Sequence, residues 1–412
     1  MKICVIGLGY IGLPTSAMFA AHGHTVLGVD KNPAVIEALN QGSIIIEEAN
    51  LDNFVKEVVS SGKLRGAMEP EEADVFIIAV PTPITEEKKA DMRYVQAATE
   101  MILPYIRKGN LVILESTSPV GTVEQLMLPI LEKSGLKMGE ELFVGHSPER
   151  VIPGQILYEL VHNSRIAGGI NAISAQKIAE LYRSFVEGEI YQCDARTAEL
   201  CKLTENTFRD INIAFANELA QICENLDIDV WQVIQLCNKH PRVNIHQPGP
   251  GVGGHCIAVD PWFIIEKQPD TAKLIHQARL INDYMPEYVA AHIYELLEDV
   301  EQPQVTILGL TYKPDVDDIR ESPVLKLAAL LEKNGVAVKR HDPFVKAYQG
   351  DIAEACAGSH LVLLGVHHQQ YKALPAKEML AAMAGKLFYD TRNFADEPSL
   401  TEAGFEVYSL GR

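Results

Sequence analysis

Three closely spaced glycines near the start of the chain constrain its fold more than any other feature. Gly7, Gly9 and Gly12 follow an apolar segment, KICVI, and precede a helical segment, LPTSAMFAAHG. In that context the first glycine permits a tight turn, the second lets a pyrophosphate approach the backbone, and the third lets a helix pack on a strand. The phosphates would lie at the helix N-terminus, where N–H groups and the helix dipole favour negative charge. The pattern therefore predicts a dinucleotide-binding unit.

The acid that ends the next apolar segment, TVLGVD, indicates which dinucleotide is bound. Asp30 is placed to accept hydrogen bonds from a ribose diol, and its charge would repel a 2′-phosphate. NAD is therefore predicted in preference to NADP. The alternative is an ordinary strand–helix turn with a surface acid, and Lys31 beside the carboxylate is compatible with that alternative.

Apolar and amphipathic segments alternate from the first residue to about residue 190. Continuous apolar strands between helices indicate a parallel sheet that is covered on both faces. A second region opens near Gln304 and repeats the order strand, turn, helix and strand ending in an acid, here Asp342. It keeps only Gly309 of the glycine triplet. We expect a degenerate second copy of the nucleotide-binding unit, without the pyrophosphate turn.

One long helix is predicted between these regions, from Thr197 to about Leu226. Apolar residues recur there at steps of three to five without Gly or Pro, and they cover more than one face, which favours a symmetric homodimer. The predicted fold class is α/β: two Rossmann-like doubly wound domains joined by this central helix and a small helical domain. The predicted boundaries are residues 1–195, 196–300 and 301–412.

Composition excludes several classes of partner. The net charge of −19 and the lack of a basic stripe argue against nucleic acid, so a few placed cations must hold any anionic ligand. No apolar segment is long enough to predict a membrane span. The seven cysteines are scattered and form no C-x-x-C pair, which favours a reducing cytoplasm. The histidines lack metal-ligand spacing, so no metal is predicted.

A glycine-rich loop, GPGVGGHCIAVDPWF, surrounds Cys256. We interpret its four glycines as allowing a ligand to come close to the backbone, and not as a requirement of packing. Exposed N–H groups would stabilise the Cys256 thiolate, which predicts a nucleophile. The other six cysteines are interpreted as small buried apolar residues. Asp260 is expected to orient a water or a lysine, the alternative being a turn residue.

Four further polar residues are candidates by their position. Lys202 and Asn206 lie one turn apart on one face of the long helix and could bind an oxyanion, although a solvated helix face would show the same spacing. Lys202 interrupts an apolar run, which favours a site. Thr117 and Glu149 follow presumed parallel strands at the edge where α/β sheets bind ligands, and capping or turn roles are the alternative.

These motifs, in this order, resemble the nucleotide-sugar 6-dehydrogenases, the UDP-glucose and GDP-mannose dehydrogenase family, over nearly the whole chain. The matching segments are GLGYIGLP, VPTP, STSPVGT, SPER, KLTENTFRDINIAFANE, PGPGVGGHCIAVDP and GLTYKPDVDDIRESP. UDP-glucose enzymes usually carry a lysine before the aspartate that follows the cysteine, where this chain has Val259. The resemblance therefore points to the branch that oxidises N-acetylated sugars.

The resemblance implies an NAD-dependent, four-electron oxidation at C6 of a UDP-N-acetylhexosamine, from UDP-N-acetylmannosamine to its uronate, in polysaccharide biosynthesis. Cys256 would form a thiohemiacetal and then a thioester. Lys202 and Asn206 would hold the C6 oxygen. Glu149 would help a water hydrolyse the thioester, and Asp260 and Thr117 would position that water or assist proton transfer.

Binding residues also follow from the resemblance. The cofactor set is Gly7, Gly9, Tyr10, Ile11, Gly12, Asp30, Thr82, Thr117 and Arg320. The substrate set is Glu149, Arg150, Lys202, Asn206, Arg242, Gly253, Lys313 and Arg392. Residues 1–195 would bind NAD, 196–300 would form the helical dimerisation domain with the cysteine loop, and 301–412 would bind the UDP-sugar. Arg242 would reach the substrate of the neighbouring subunit, and Arg320 could face either the cofactor or the substrate.

Two alternative functions remain open at this point. UDP-N-acetylglucosamine 6-dehydrogenase differs only in the stereochemistry of the sugar. A non-catalytic NAD-binding sensor would keep the fold without the chemistry. The presence of Cys256, Lys202, Asn206 and Glu149 together argues against a sensor, which has no need of all four.

Overall fold

The computed structural model describes residues 1–46, 48, 50–152 and 154–412. These form two compact units, Met1–Glu205 with Trp262–Pro269 and Asn206–Pro261 with Asp270–Arg412. No helix in the described ranges combines the length and the apolar character that crossing a bilayer requires.

The first unit contains an eight-stranded sheet in the order β3-β2-β1-β4-β5-β6-β7-β8. Its strands are β1 Lys2–Ile6, β2 Thr25–Val29, β3 Leu64–Ala67, β4 Val75–Ile78, β5 Leu111–Leu114, β6 Phe143–His146, β7 Arg165–Gly169 and β8 Ile190–Asp194. Its helices are α1 Gly12–Ala21, α2 Pro33–Asn40, α3 Leu51–Ser60, α4 Arg93–Ile102, α5 Leu128–Leu131, α6 Ile156–His162 and α7 Ala172–Tyr182. Separate apolar clusters cover the two faces of the sheet.

The sheet also contains one antiparallel junction, which involves a strand outside the predicted apolar segments. β7 pairs antiparallel with β6, with Gly145 opposite Gly169 and His146 opposite Gly168. Glycine permits the close approach, since a Cβ on Gly145 would lie 2.1 Å from the Gly168 carbonyl oxygen. The other strand pairs of this sheet are parallel, as the apolar segments predict.

Helix α8, Ala195–Asn225, confirms the predicted long helix within two residues at each end. It begins in the first unit and continues into the second. The remaining helices are α9 Val230–Cys237, α10 Asp260–Lys267, α11 Lys273–Leu296, α12 Pro323–Lys333, α13 Ile352–Cys356, α14 Ala376–Ala382 and α15 Glu397–Ala403.

The second unit contains a parallel five-stranded sheet in the order β10-β9-β11-β12-β13. Its strands are β9 Gln304–Leu308, β10 Ala337–His341, β11 Leu361–Leu364, β12 Leu387–Asp390 and β13 Glu406–Ser409. The order β10-β9-β11-β12 has the same topology as β2-β1-β4-β5 of the first unit. The chain thus has two Rossmann-like units and the long helix, as predicted.

The two copies agree at the level of single hydrogen bonds. The Gly7 N–H donates to the Val29 carbonyl at 2.8 Å, and the Gly309 N–H donates to the His341 carbonyl at 2.9 Å. Both glycines have a positive φ, +95° and +84°, which favours glycine over other residues. This agreement identifies Gly309 as the counterpart of Gly7 in the second unit.

Candidate active site

The turn between β1 and α1 has space for a phosphate at one of its three glycines. A Cβ on Gly7 would lie 2.5 Å from the Ala79 carbonyl oxygen, and one on Gly12 would lie 1.9 Å from the Gly7 carbonyl oxygen. A Cβ on Gly9 would meet no atom within 4 Å. The outer glycines are therefore required by packing, while Gly9 leaves the backbone open. This arrangement fits the pyrophosphate of NAD, with the partly buried Tyr10 and Ile11 completing the turn.

Asp30 is held by the same turn. Its Oδ2 accepts the Leu8 N–H at 2.9 Å, and its Oδ1 accepts the Asn32 N–H at 2.9 Å. These bonds orient a partly exposed carboxylate that keeps further acceptor capacity for a ribose diol. Lys31 is exposed and forms no ion pair with any residue that the structure describes. The residues present therefore fit NAD.

The equivalent acid of the second unit is closed to a ribose. Asp342 Oδ2 accepts the Leu310 N–H at 2.6 Å and also lies 3.1 Å from His368 Nε2. Both side chains are fully buried. His368 thus contacts the carboxylate that corresponds to Asp30 in the first copy. The second copy is therefore degenerate at the ribose-binding acid as well as at the glycine turn.

Glu149, at the carboxyl end of β6, is buried and held on both oxygens. Arg165 Nη1 donates to its Oε2 at 2.6 Å, and the Arg150 N–H donates to its Oε1 at 2.7 Å. The Arg150 side chain binds Glu205 at 2.7 Å and is turned away from Glu149 by that ion pair. Sequence reasoning missed Arg165, because its pairing with Glu149 is made only by the fold.

Thr82 and Thr117 follow β4 and β5 and are partly buried. Neither side chain forms a hydrogen bond with another described residue. Lys202 on α8 is also partly buried, without a hydrogen bond or ion pair to the described part of the chain. The positive charge of Lys202 acts on the buried His146. Burial, together with the charges of Lys202 and Arg165, lowers the pKa of His146 to about 3. The Lys202 ammonium is thus available for a ligand.

Asn206 and Asp260 are brought together in the second unit. Asn206 Nδ2 donates to Asp260 Oδ2 at 2.6 Å, and both side chains are buried. Asp260 begins α10, and its N–H donates to the Cys256 carbonyl at 2.8 Å. Asp260 is expected to orient a water or a lysine, and the hydrogen bond observed here joins it to Asn206.

Cys256 is exposed, in contrast to most of the other cysteines. Burial raises the pKa of Cys4 and of Cys356 to about 12 in each case, which makes these thiols poor nucleophiles. Cys223 is also buried, as predicted. The interpretation of all six as buried apolar residues is wrong for Cys237, which is exposed at the end of α9, and Cys193 and Cys201 are only partly buried.

The glycines of the cysteine loop serve packing, contrary to our interpretation of the sequence. A Cβ on Gly253 would lie 2.5 Å from the Glu321 carbonyl oxygen, and one on Gly254 would lie 2.8 Å from the Tyr312 ring. A Cβ on Gly249 would lie 2.2 Å from Arg392 Nη1. The loop lies close against the turn after β9, so the need for glycine is fixed by residues distant in sequence.

A chain of buried polar groups anchors the start of this loop. Asn217 Oδ1 accepts the Gly249 N–H at 2.9 Å, and Asn217 Nδ2 donates to Asn282 Oδ1 at 2.8 Å. Asn282 Nδ2 donates in turn to Asp210 at 2.8 Å, and Asp210 is paired with the buried Arg279. No motif in the sequence signalled this anchor.

Comparison with known proteins places these features in one family. The model of the UDP-glucose/GDP-mannose dehydrogenase family matches in three parts: the NAD binding domain at residues 1–186, the central domain at 196–284 and the UDP binding domain at 306–397. The chain belongs to the UDP-glucose/GDP-mannose dehydrogenase family. It is an NAD-dependent UDP-sugar dehydrogenase, as the resemblance of its motifs indicated.

Individual relatives cover the whole chain. A UDP-N-acetyl-D-mannosamine dehydrogenase of Methanococcus maripaludis (strain C7) is 45% identical, with 100% of this chain and 97% of that protein covered. An NDP-N-acetyl-D-galactosaminuronic acid dehydrogenase of Ralstonia solanacearum is 45% identical, with 95% of each covered. The solved UDP-D-ManNAc dehydrogenase of Pyrococcus horikoshii is 40% identical and superposes with a TM-score of 0.95, covering 100% of this chain and 99% of that chain.

The UDP binding domain of the family includes three of the predicted substrate cations. Arg392 is partly buried and donates through Nε to the Gly365 carbonyl at 3.2 Å. Burial lowers the pKa of Arg392 to about 10, and the nearby Asp390 opposes this effect. Arg320 is paired with Asp318 at 2.6 Å, and Lys313 is partly buried. Arg242, outside this domain, is exposed.

Proposed function

We propose that this enzyme oxidises C6 of UDP-N-acetylmannosamine to the carboxylate through a covalent thioester on Cys256. The observation that carries the proposal is the exposed Cys256 on an anchored loop, with a carbonyl that accepts the N–H of Asp260 from the buried Asn206–Asp260 pair. Full-length relatives named for UDP-N-acetyl-D-mannosamine support the choice of sugar. The product would supply polysaccharide biosynthesis.

The proposed reaction has three steps. NAD, when bound, supplies the hydride acceptor for each of two oxidations. In the first oxidation, C6 of the sugar loses a hydride and its hydroxyl loses a proton, which leaves an aldehyde. The Cys256 thiolate then adds to the aldehyde carbon, and loss of a second hydride converts the thiohemiacetal to a thioester. Water finally attacks the thioester carbonyl, the C–S bond breaks, and the carboxylate and thiol are released.

Lys202 and Asn206 are proposed to hold the C6 oxygen as its negative charge develops. Both lie on one face of α8, one turn apart. One N–H of the Asn206 amide is directed at Asp260, which fixes the side chain and leaves the second N–H for the substrate. Charged and neutral donors of this kind stabilise an alkoxide strongly in a site that excludes water.

Glu149 is proposed to accept the proton of the hydrolytic water, with Thr117 and Asp260 assisting its placement. Its hydrogen bonds to Arg165 and to the Arg150 N–H support this role, because they fix the position of both carboxylate oxygens.

Binding of the nucleotide sugar is assigned to the cations and to the glycine loop. We propose that Lys313, Arg320 and Arg392 bind the diphosphate and uridine, with Gly253, Arg150 and Arg242 nearer the sugar. Arg320 retains its alternative role toward NAD.

We further propose three functional parts. Residues 1–195 bind NAD, residues 196–300 form the dimerisation domain, and residues 301–412 bind the UDP-sugar. The remaining cofactor contacts are assigned to Gly7, Gly9, Tyr10, Ile11, Gly12, Asp30, Thr82 and Thr117.

A homodimer through α8 is also proposed. Phe208, Phe215 and Ile222 are 63%, 50% and 46% exposed and recur every seven residues, which is the spacing of a self-complementary helix seam. Sedimentation of the wild type should show a dimer, and Phe208→Lys with Phe215→Lys should show an inactive monomer, because Arg242 then cannot reach the neighbouring substrate. A fully active monomer would contradict the shared site. The described cysteines form no disulfide, which supports the proposed cytoplasmic location.

Release of NADH on addition of candidate sugars tests the proposed substrate. With UDP-N-acetylmannosamine we expect about two NADH per sugar, since oxidation to the carboxylate removes four electrons. UDP-N-acetylglucosamine and UDP-N-acetylgalactosamine serve as the epimeric comparisons. Faster turnover of either epimer would replace the proposed sugar, and no NADH from any of them would favour the sensor.

A further inference from the structure

Arg165 is the most heavily bonded side chain near Glu149. It is buried at the start of β7, and its two terminal nitrogens bind two different carboxylates. Nη1 donates to Glu149 at 2.6 Å, Nη2 donates to Glu115, and Nε donates to Ser147 Oγ at 2.9 Å. The guanidinium carbon lies 3.7 Å from the centre of the Tyr182 ring. Arg165 is therefore a rigidly held cation shared by two acids.

The second acid, Glu115, directly follows β5 and has no contact with solvent. Its Oε1 accepts bonds from both Arg165 and the Tyr182 hydroxyl, the latter at 3.0 Å. Its Oε2 forms no hydrogen bond by geometry with the described residues, and Thr15 of α1 is the hydroxyl that faces this carboxyl. One guanidinium thus opposes two buried carboxylates, so Glu115 and Glu149 compete for the same positive charge.

The charge of Glu115 changes near neutral pH. Burial raises the pKa of Glu115 to about 7; the charge of Arg165 opposes that rise, and the charge of Glu149 adds to it. Above this pH the guanidinium of Arg165 therefore faces a second full negative charge. The other ionisable groups nearby are Tyr182, His146 and Lys202. Burial keeps Tyr182 protonated and His146 neutral, because it raises the pKa of the first and lowers that of the second.

We propose that Arg165 is the positioning residue that holds the Glu149 carboxylate in place, and that Glu115 competes with Glu149 for it. The proposal rests on the proposed function of Glu149 in thioester hydrolysis. Glu149 takes a proton from the water whose oxygen bonds to the thioester carbon, and the Cys256 thiolate leaves. As Glu115 loses its proton near pH 7, its charge competes with Glu149 for the guanidinium, so thioester hydrolysis should slow as pH rises through about 7.

Arg165→Lys tests the positioning role. A single ammonium keeps the charge but cannot bind both carboxylates and the Ser147 hydroxyl at once. We expect kcat to fall about 10²-fold with KM unchanged, and the thioester to accumulate as in Glu149→Gln. Arg183→Lys, at an exposed position after α7, is the matched control and should keep wild-type kinetics.

Glu115→Gln tests the competition. The amide oxygen of Gln can accept both bonds that Glu115 Oε1 accepts, and the NH₂ takes the place of the oxygen without a hydrogen bond. Glu149 then has no charged competitor for Arg165, so the slowing of hydrolysis near pH 7 that the wild type shows should be lost in this variant. The double variant with Glu115→Gln and Arg165→Lys should have a kcat at least about tenfold higher than Arg165→Lys alone, since the ammonium then binds only Glu149.

The results separate this inference from the proposed function. If Glu149→Gln accumulates no thioester, the proposed function of Glu149 fails. If Glu149→Gln accumulates thioester while Arg165→Lys turns over like the wild type, only the positioning role fails. If Arg165→Lys does not fold, the pH dependence of Glu115→Gln decides, and hydrolysis that still slows near pH 7 in this variant overturns the proposal.

Discussion

Gly9 offers a test that separates NAD binding from folding. Its Cβ position meets no atom within 4 Å, so Gly9→Ala should leave the free energy of unfolding unchanged or raise it by about 0.4–1 kcal/mol through the unfolded chain. The added methyl group would occupy the space proposed for the pyrophosphate. Loss of two charge-assisted hydrogen bonds at about 1.5–3 kcal/mol each corresponds to roughly 10²- to 10⁴-fold weaker NAD binding.

Gly12→Ala is the matched control for this prediction. Its Cβ would lie 1.9 Å from the Gly7 carbonyl oxygen, so the backbone must move, and we expect a loss of about 3 kcal/mol or more in urea unfolding. Calorimetric titration with NAD and urea denaturation measure the two effects independently. Wild-type NAD affinity in Gly9→Ala, or a loss of stability equal to that of Gly12→Ala, would refute the assignment of Gly9.

Three further predictions concern the cofactor, the loop anchor and pH. Asp30→Ala should weaken NAD binding by about 1–3 kcal/mol and narrow the preference over NADP, because a ribose hydroxyl loses its acceptor; unchanged steady-state kinetics with NAD would contradict this. Asn217→Ala leaves the Gly249 N–H and Asn282 Oδ1 without their partner, and urea unfolding should show a loss of about 2–6 kcal/mol; a loss below about 1 kcal/mol would argue against the anchor. Burial raises the pKa of Glu199 to about 7, so the folded state binds this proton more tightly than the unfolded chain, and the free energy of unfolding should fall by about 3 kcal/mol as pH rises from 4.5 to 7. The free energy of unfolding of Glu199→Ala should depend less on pH over this range than that of the wild type. Parallel pH curves for the two proteins would contradict the prediction.

Local sequence patterns predicted the framework of both Rossmann-like units. The interior strands of each sheet are continuous apolar segments, a pattern that is not typical of exposed segments. Helix α8 has an unbroken helical periodicity over its length. The glycine turn was predictable because its three glycines have separate backbone requirements within six residues. These signals are local, and the physics that fixes each element lies within the segment itself.

The features that sequence analysis missed depend on contacts between distant residues. β7 contains two glycines and β8 is largely exposed, so neither has the continuous apolar pattern of a central strand. The requirement for Gly253 comes from Glu321, and the Glu149 carboxylate is held by Arg165. A residue pattern cannot indicate such partners until the fold brings them together, which explains why the glycines of the cysteine loop were misinterpreted.

Intact-protein mass spectrometry of Glu149→Gln tests the central claim most directly. After mixing with UDP-N-acetylmannosamine and NAD, both oxidations can proceed once, but the water lacks its base. We expect a burst of about two NADH per active site, a sugar adduct that peptide mapping places on Cys256, and slow release thereafter. Cys256→Ser should form no adduct and should fail in the second oxidation. An adduct on another residue, or full multiple turnover by Cys256→Ser, would contradict the covalent mechanism.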